Sequence, residues 1–354
     1  MSVISYKCPG CGAPLTYDPN AEKTACKYCF SSFSLEELEE YNQKLLAKAA
    51  ETEQQEAARS AQVPDALKGY TCNSCGAEVV TDETTAATFC YYCHNPVILS
   101  DRLGGDFRPQ KIIPFTFDRQ AAEAQFLKWA RTKKFVPKSF YSDSQMEKLT
   151  GMYLPFWLAD ANTHVNIAGT GISQRIWTEG NTEYTENSHY DFVREGQFDL
   201  KNVSKLALNK IEPELINSVA NYDEDNMKDF SMLYLSGFFS ETYEIDQKTI
   251  EPQIEADAAE HIDNLINDSL SNYDRVDYKY KEINTQLSNW QYALFPTWVM
   301  TYNYGGRTYV YAVNGQSGQA YGELPLDKTR LGIYSGIIFI VIAVLLLLGG
   351  YFIW

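Results

Sequence analysis

Two stretches decide how this chain folds: KCPGCGAPLTYDPNAEKTACKYCF, Lys7 to Phe30, and TCNSCGAEVVTDETTAATFCYYCH, Thr71 to His94. Each holds two Cys-x-x-Cys pairs with fourteen residues between them. Together they contain all eight cysteines of the chain: Cys8, Cys11, Cys26 and Cys29, then Cys72, Cys75, Cys90 and Cys93. Two disulfides per stretch would need an oxidising compartment, and residues 1–30 contain no apolar run able to export this end. Zinc suits the spacing better. A two-residue gap lets both sulfurs of one knuckle reach one ion, and the fourteen-residue span can fold as a hairpin carrying the second knuckle. The expectation is two structural Zn²⁺ ions, each closed by four thiolates and holding a unit of about 30 residues too small for a sufficient core of its own.

Gly12 and Gly76 follow the first pair of each stretch, where a tight knuckle favours positive φ. Phe30 and His94 take the matching place after the second pair, so those turns must manage with bulkier residues. His94 adjoins a complete thiolate set and reads as a surface neighbour, and Tyr28, Tyr91 and Tyr92 are expected to pack the small ribbon cores.

The chain divides into a first ribbon (1–33), a helical spacer (34–65), a second ribbon (66–100), an α+β domain (101–326) and an apolar tail (331–354). In the spacer, Ser34 and Glu37 form a capping box, and Leu35, Leu38, Leu45 and Ala49 approximate a heptad stripe interrupted by Asn42. A solvated helix and a coiled-coil partner site both fit; Val63, Pro64 and Asp65 end it. In the larger domain, KIIPFTF (Lys111–Phe117) reads as a strand and Asp118 as the cap of the next helix, through Phe126 and Trp129. Ile254, Ala258, Ile262, Leu265, Ile266 and Leu270 recur at helical spacing. Trp298–Tyr304 and Arg307–Val313 read as a hairpin through Gly305 and Gly306, with NGQSG (Asn314–Gly318) turning into one more strand. YLPFWLAD (Tyr153–Asp160) echoes LFPTWVMT (Leu294–Thr301), each after a strand-then-helix signal, which suggests a duplicated βαββ unit. The fold class is therefore multidomain α+β: two four-cysteine zinc ribbons joined by a helix, a mixed α+β domain, and one C-terminal transmembrane helix.

That last element is LGIYSGIIFIVIAVLLLLGGYFIW, Leu331 to Trp354, without a charge. At 1.5 Å per residue it spans roughly 35 Å, enough for a bilayer core of about 30 Å. Lys328 and Arg330 precede it, so the positive-inside rule puts the N-terminal bulk in the cytoplasm at a cell membrane crossed once, the side on which zinc-binding thiols stay reduced.

The 354 residues carry 30 basic and 46 acidic side chains, a formal charge of −16. Two tetrathiolate zinc sites would bring it to about −20, which repels phosphate backbones in the absence of a local basic patch. The ribbons supply none: Glu78, Asp82 and Glu83 outnumber Lys68 in the second, and Lys7, Lys23 and Lys27 barely exceed Asp18 and Glu22 in the first.

The two CxxCG ribbons, DRLGGDFRPQKIIPFTF (Asp101–Phe117), GMYLPFW (Gly151–Trp157), MKDFSMLYLSGF (Met227–Phe238), FPTWVMTY (Phe295–Tyr302) and VNGQSGQ (Val313–Gln319) make a set over nearly the whole chain. It resembles a bacterial family of membrane-anchored proteins with transcription factor IIB type zinc ribbons. The resemblance implies that the eight cysteines are the ligands, and it implies a role in recruiting phage-shock protein A or SPFH (flotillin-like) homologues to the membrane during envelope stress. It offers no catalytic residues.

A helicase reading fails, because no Gly-Lys pair exists to build a phosphate-cradling P-loop. His94, His164, His189 and His261 are scattered with no nucleophile motif nearby. Glu251, Glu255 and Glu260 read as a solvated helix face, and Tyr302, Tyr304, Tyr309 and Tyr311 as alternating positions of a half-buried sheet. The expectation is a membrane-tethered adaptor, not an enzyme, whose ribbons reach out on the spacer to capture cytoplasmic proteins. The alternative is a nucleic-acid-binding ribbon protein tethered to the membrane.

Overall fold

The computed structural model describes residues 3–53, 69–133, 135–142, 146, 148–211, 215, 216 and 218–353. In chain order, β1 (Val3–Ile4) precedes the first cysteine unit, whose strands are β2 (Leu15–Asp18), β3 (Lys23–Cys26) and β4 (Ser32–Phe33). Helix α1 (Leu35–Glu53) follows. The second unit holds β5 (Gly69–Thr71), β6 (Glu78–Val80), β7 (Thr85–Phe89) and β8 (Pro96–Leu99). Then come β9 (Lys111–Ile112), α2 (Arg119–Arg131), β10 (Thr150–Glu179), β11 (Thr182–Leu206), β12 (Lys228–Asp229), β13 (Phe239–Glu241), α3 (Gln247–Ser269), β14 (Arg275–Tyr304), β15 (Arg307–Asn314), β16 (Ala320–Gly322) and α4 (Lys328–Ile353). This is a mixed α+β fold with two four-cysteine groups and a C-terminal apolar helix.

One sheet organises the body, with strand order β1-β8-β7-β13-β10-β14-β15-β16 and β11, β9 and β12 attached beside it. Its centre is the antiparallel pair β10·β14, in which Leu154 faces Phe295. Alternation sends Tyr153, Trp157, Tyr292 and Trp298 to one side and Leu154, Phe156, Ala293 and Phe295 to the other. Both sides are covered, which is why YLPFW and LFPTW are apolar almost without a break. On the first side α2 lays Ala122, Phe126 and Ala130 against the sheet; on the second Phe156 stacks on Phe295 at 4.7 Å. Such a pair contributes about 0.5–1.5 kcal/mol beyond its area.

The order strand, helix, strand, strand occurs twice, as β9-α2-β10-β11 and β13-α3-β14-β15. The first strand of each run pairs with the third of the other: β9 lies parallel on β14 at Ala293 and Leu294, and β13 parallel on β10 at Met152 and Tyr153. Both helices start on an aspartate cap, Asp118 accepting from the Ala121 N–H and Asp246 from the Thr249 N–H. KIIPFTF is a strand for two residues only, since Pro114 cannot donate to a ladder. Gly305 and Gly306, with φ of 61° and 80°, make the expected hairpin turn between Tyr304 and Arg307.

Beyond a bulge at Asp160, whose carboxylate accepts from the Asn202 N–H and the Asn289 side chain, the sheet narrows to an arm of β11, β10 and β14. Thirty residues of β10 at about 3.3 Å each reach roughly 100 Å. One face of the arm is sealed by α3, which buries Ile262, Ile266 and Leu270 on Val165, Ile167 and Phe192. Leu265, expected on that apolar stripe, is 42% exposed at its border.

The ribbons are seated on this sheet, which corrects the expectation that they reach out on a spacer. In the first, the Tyr17 N–H donates to Ser236 O (2.9 Å), the Ser236 hydroxyl donates to Leu15 O (2.6 Å), and Tyr17 is buried edge-on to Tyr234. Leu38 of α1 and Leu233 close its underside against Cys8, Cys26 and Leu15, so the start of the spacer stripe is used internally. The stretch MKDFSMLYLSGF is thus the seat of the first ribbon. In the second, β7 pairs with β13, β8 with β7, and β1 with β8, so half of the ribbon is the edge of the main sheet. Arg102 of the DRLGG stretch holds its hairpin, donating to Tyr70 Oη (2.9 Å), Thr81 Oγ1 (3.1 Å) and Thr85 O (2.8 Å). The capping box forms as expected, Ser34 N–H to the Glu37 carboxylate and Glu37 N–H to the Ser34 hydroxyl. Residues 54–65 of the expected spacer, including Val63, Pro64 and Asp65, and the side chains of Leu45 and Ala49 lie outside the described residues.

Candidate metal centres

All four knuckles have one backbone design. The N–H of the residue after each Cys-x-x-Cys returns to the carbonyl of the first cysteine: Gly12 to Cys8 (2.8 Å), Phe30 to Cys26 (3.0 Å), Gly76 to Cys72 (2.9 Å) and His94 to Cys90 (2.9 Å). One residue further on, a carbonyl accepts the N–H of that first cysteine, from Ala13, Ser31, Ala77 and Asn95 in turn. The closing residue has φ of 73°, 59°, 76° and 56° in the four knuckles. Glycine reaches this region freely; Phe30 and His94 adopt it at some cost, which only a well-determined surround maintains.

These turns aim four sulfurs at one point in each ribbon. Cys8, Cys11, Cys26 and Cys29 have all Sγ atoms within 4.8 Å of one another, as do Cys72, Cys75, Cys90 and Cys93. The closest pairs are 3.5 Å apart in the first group (Cys8–Cys29 and Cys11–Cys26) and 3.7 Å in the second (Cys72–Cys93 and Cys75–Cys90). A disulfide needs about 2.05 Å. Four sulfurs about 2.3 Å from a tetrahedral centre lie roughly 3.8 Å apart. The groups therefore have the dimensions of two metal sites, and each brings together the four cysteines expected from the sequence.

The thiols do not titrate alike. The Ser31 hydroxyl and N–H draw Cys29 down to about 6, and although burial opposes it, the backbone at Cys93 and Tyr92 draws Cys90 down to about 7. Burial and the neighbouring thiols push Cys93 up to about 12 in the second group, so a cation must displace protons to hold all four sulfurs as thiolates. Each group is inner-buried and outer-exposed: Cys8, Cys26, Cys72 and Cys90 face the ribbon core, and Cys11, Cys29 and Cys75 face solvent. Among the described residues neither group contains a histidine. His94 caps its knuckle through its backbone, His164 and His189 stand on the arm, and His261 is on the outer side of α3.

The knuckle tyrosines overturn their expectation. Tyr28, Tyr91 and Tyr92 are 71%, 71% and 75% exposed, and Phe30 after the second pair is 88% exposed. The ribbon cores are filled instead by Leu15, Leu38 and Leu233 in the first and by Tyr70, Val79, Val97 and Leu99 in the second. Reading the residues inside CxxC as outward-pointing, because both flanking sulfurs point inward, would have found the three tyrosines. Beside the Phe30 knuckle runs a groove of about 730 Å³ lined by Phe89, Phe238, Phe239 and Trp298, between the first ribbon and the β7–β13 part of the sheet.

At the other end of the molecule, Lys328–Leu345 of α4 has a mean hydropathy of 1.7 and is not buried against the body. Contacts with the body are made where the helix begins, Tyr334 edge-on to Phe135 and, just ahead of the helix, the Asp327 N–H to Phe135 O. An isolated apolar helix of this length fits a bilayer.

No protein-family model matches the sequence, and no solved structure matches it. The uncharacterized protein YdjG of Bacillus subtilis (strain 168) is 31% identical over 355 aligned residues, which span 99% of this chain and 100% of YdjG. The aligned span takes in both cysteine groups, the arm and the apolar helix, and the chain belongs to the YdjG family.

Proposed function

We propose that this chain is a membrane-anchored zinc adaptor that binds partner proteins at the cytoplasmic face and holds them there. The observation that carries the reading is the contrast between closed metal groups and open knuckles. Four thiolates per group leave no coordination position for substrate and select zinc by softness and geometry, while Tyr28, Phe30, Tyr91 and Tyr92 offer aromatic anchors of the kind that dominate protein interfaces. The chain works by binding and not by catalysis. Lys328 and Arg330 ahead of the apolar helix support a single span with the body in the cytoplasm. The resemblance to the zinc-ribbon family adds phage-shock protein A and SPFH-like homologues as partners and envelope stress as the occasion.

The exposed aromatics also favour one rival, since tyrosines stack on bases. The carboxylates Glu78, Asp82 and Glu83 on the second ribbon weigh against it, as phosphate binding needs a basic face. Crosslinking pulldown from membranes separates the readings, comparing the intact chain with Cys8→Ser and Cys72→Ser. The adaptor reading expects discrete protein partners that are lost with the metal. Unchanged capture after metal loss, or salt-sensitive submicromolar binding of DNA by the full chain, would overturn it.

A further inference from the structure

Among the described residues, the outer edge of β11 has no strand beside it along its 25 residues, because β11 pairs only with β10. Natural sheets blunt such an edge with proline, charged side chains, bulges or a covering segment. Of these β11 has the charges, Glu186, Asp191, Arg194, Glu195 and Asp199 among them, so only a register that pairs them favourably is open to it. Between Thr182 and Leu200 β11 has no proline, and its register on β10 is unbroken; the irregularity comes only at Lys201 and Asn202. Beside the same edge lies an apolar notch of about 350 Å³, bounded by Val165, Phe198, Leu265 and Ile266, where Leu265 is left exposed. A Cβ added at Gly196 would meet nothing within 4 Å, so the notch opens on this residue.

We propose that β11 pairs antiparallel with β11 of a second copy of this chain, about a two-fold axis at Gly196, to join two arms into one six-stranded sheet. In an isologous contact each residue meets its mirror position. With the axis at 196, Phe192 faces Leu200 and Arg194 faces Phe198 on the side that carries α3, each twice. Glu195 faces Gln197 and Val193 faces Asp199 on the other side. Just outside this window Asp191 faces Lys201; within one copy they pair with Lys279 (3.1 Å) and Asp160 (2.8 Å), and both side chains stay well exposed. Neighbouring axes are worse: centring on 193, 194, 195 or 197 sets Asp191 on Glu195, Arg194 on itself, Glu195 on itself, or Glu195 on Asp199. Like charges directly opposite destabilise a ladder. Arg194 is exposed and donates to the carbonyl of its neighbour Val193, so its guanidinium is within reach of the partner copy's ladder and can stack on an aromatic face there. Gly196 at the axis leaves room for the two notches to meet, and Leu265 of each α3 gains an apolar neighbour. The paired window of nine residues is about 30 Å long. Tethering by α4 confines copies to one surface and raises their effective concentration.

The test measures the mass of the full chain in mild detergent, as wild type, Gly196→Glu and Gly196→Cys. Since a Cβ at 196 meets nothing within 4 Å in one copy, Gly196→Glu should keep the wild-type circular dichroism and melting temperature. It should nevertheless raise the dimer dissociation constant by at least about 100-fold, because it sets two carboxylates face to face. Mild oxidation should link Gly196→Cys into dimers, while Gly180→Cys at the arm tip stays unlinked. A monomeric wild type together with no Gly196→Cys crosslink in membranes overturns the proposal. A dimer that survives Gly196→Glu also overturns it, because the contact then lies elsewhere.

Discussion

Replacing Cys90 by serine should loosen far more than one ribbon. Cys90 is wholly buried at the end of β7, its N–H is bonded to Asn95 O, and its sulfur is 3.7 Å from that of Cys75. β7 is also the strand that joins the ribbon to β13, Ala87 opposite Ser240. Structural zinc contributes on the order of 10–16 kcal/mol to folding in small finger peptides, whereas a whole domain is stable by about 5–15 kcal/mol. Losing even a fifth of the metal term, about 2–3 kcal/mol, raises local opening roughly 30- to 150-fold. Hydrogen exchange on the full chain in detergent, read alongside metal content, is the assay. Amides of Thr85–Leu99 should exchange faster by that factor, and the increase should spread to Phe239–Glu241 on β13 while the arm is unaffected. The matching Cys26→Ser change should instead release Leu15–Cys26 and the seat at Phe230–Phe238. If metal is lost and exchange at Phe239–Glu241 stays at the wild-type rate, the second ribbon is an appendage and the integrated sheet is wrong.

Three other outcomes follow from particular contacts. Tyr17→Ala should lower stability in denaturant by about 3–5 kcal/mol, because it empties the joint between the first ribbon and Tyr234. Tyr17→Phe should shift it by less than about 1 kcal/mol, since the Tyr17 hydroxyl is buried without a partner among the described residues. Substituting Tyr28, Tyr91 and Tyr92 together by alanine should leave metal content and melting temperature unchanged, given their exposure, and reduce partner capture. The hydroxyl and N–H of Thr249 hold the Asp246 carboxyl below the usual aspartate range at the start of α3. A depressed folded value adds stability above the unfolded pKa that is lost as pH falls through the folded one. The melting-temperature gap between wild type and Asp246→Ala should therefore be constant above about pH 5 and close below about pH 4. A gap that widens in acid would contradict this assignment.

Local chemistry is legible in the sequence wherever one short segment determines its own geometry. The cysteine spacing set both sulfur groups, Gly12 and Gly76 marked the first knuckles, Ser34, Asp118 and Gly305–Gly306 marked two helix starts and a hairpin, and the charge-free tail marked α4. Contacts between distant segments are not legible. Nothing near Ala87 signals that it will lie beside Ser240, and nothing near Leu15 signals Ser236. The arm escapes a sequence reading for another reason: one face of β10 is covered by α3 and the other carries Asn162, His164, Asn166 and Thr170, so its alternation is diluted by polar residues. Its turn is available in Gly180–Asn181 between Trp177 and Tyr184, which stack across the hairpin at 5.5 Å. The knuckle tyrosines read as inward because aromatics usually are; here the metal groups occupy the inside of the turn and leave the aromatics outside.

Site-specific photocrosslinking at Tyr28 and Tyr92 in the membrane-embedded chain tests the adaptor account most directly. The expected result is discrete protein adducts at both knuckles that disappear when the thiolate groups are stripped of metal, with none from a control position at Tyr321 on β16. Adducts no stronger than the Tyr321 control, or adducts to nucleic acid alone, would contradict it.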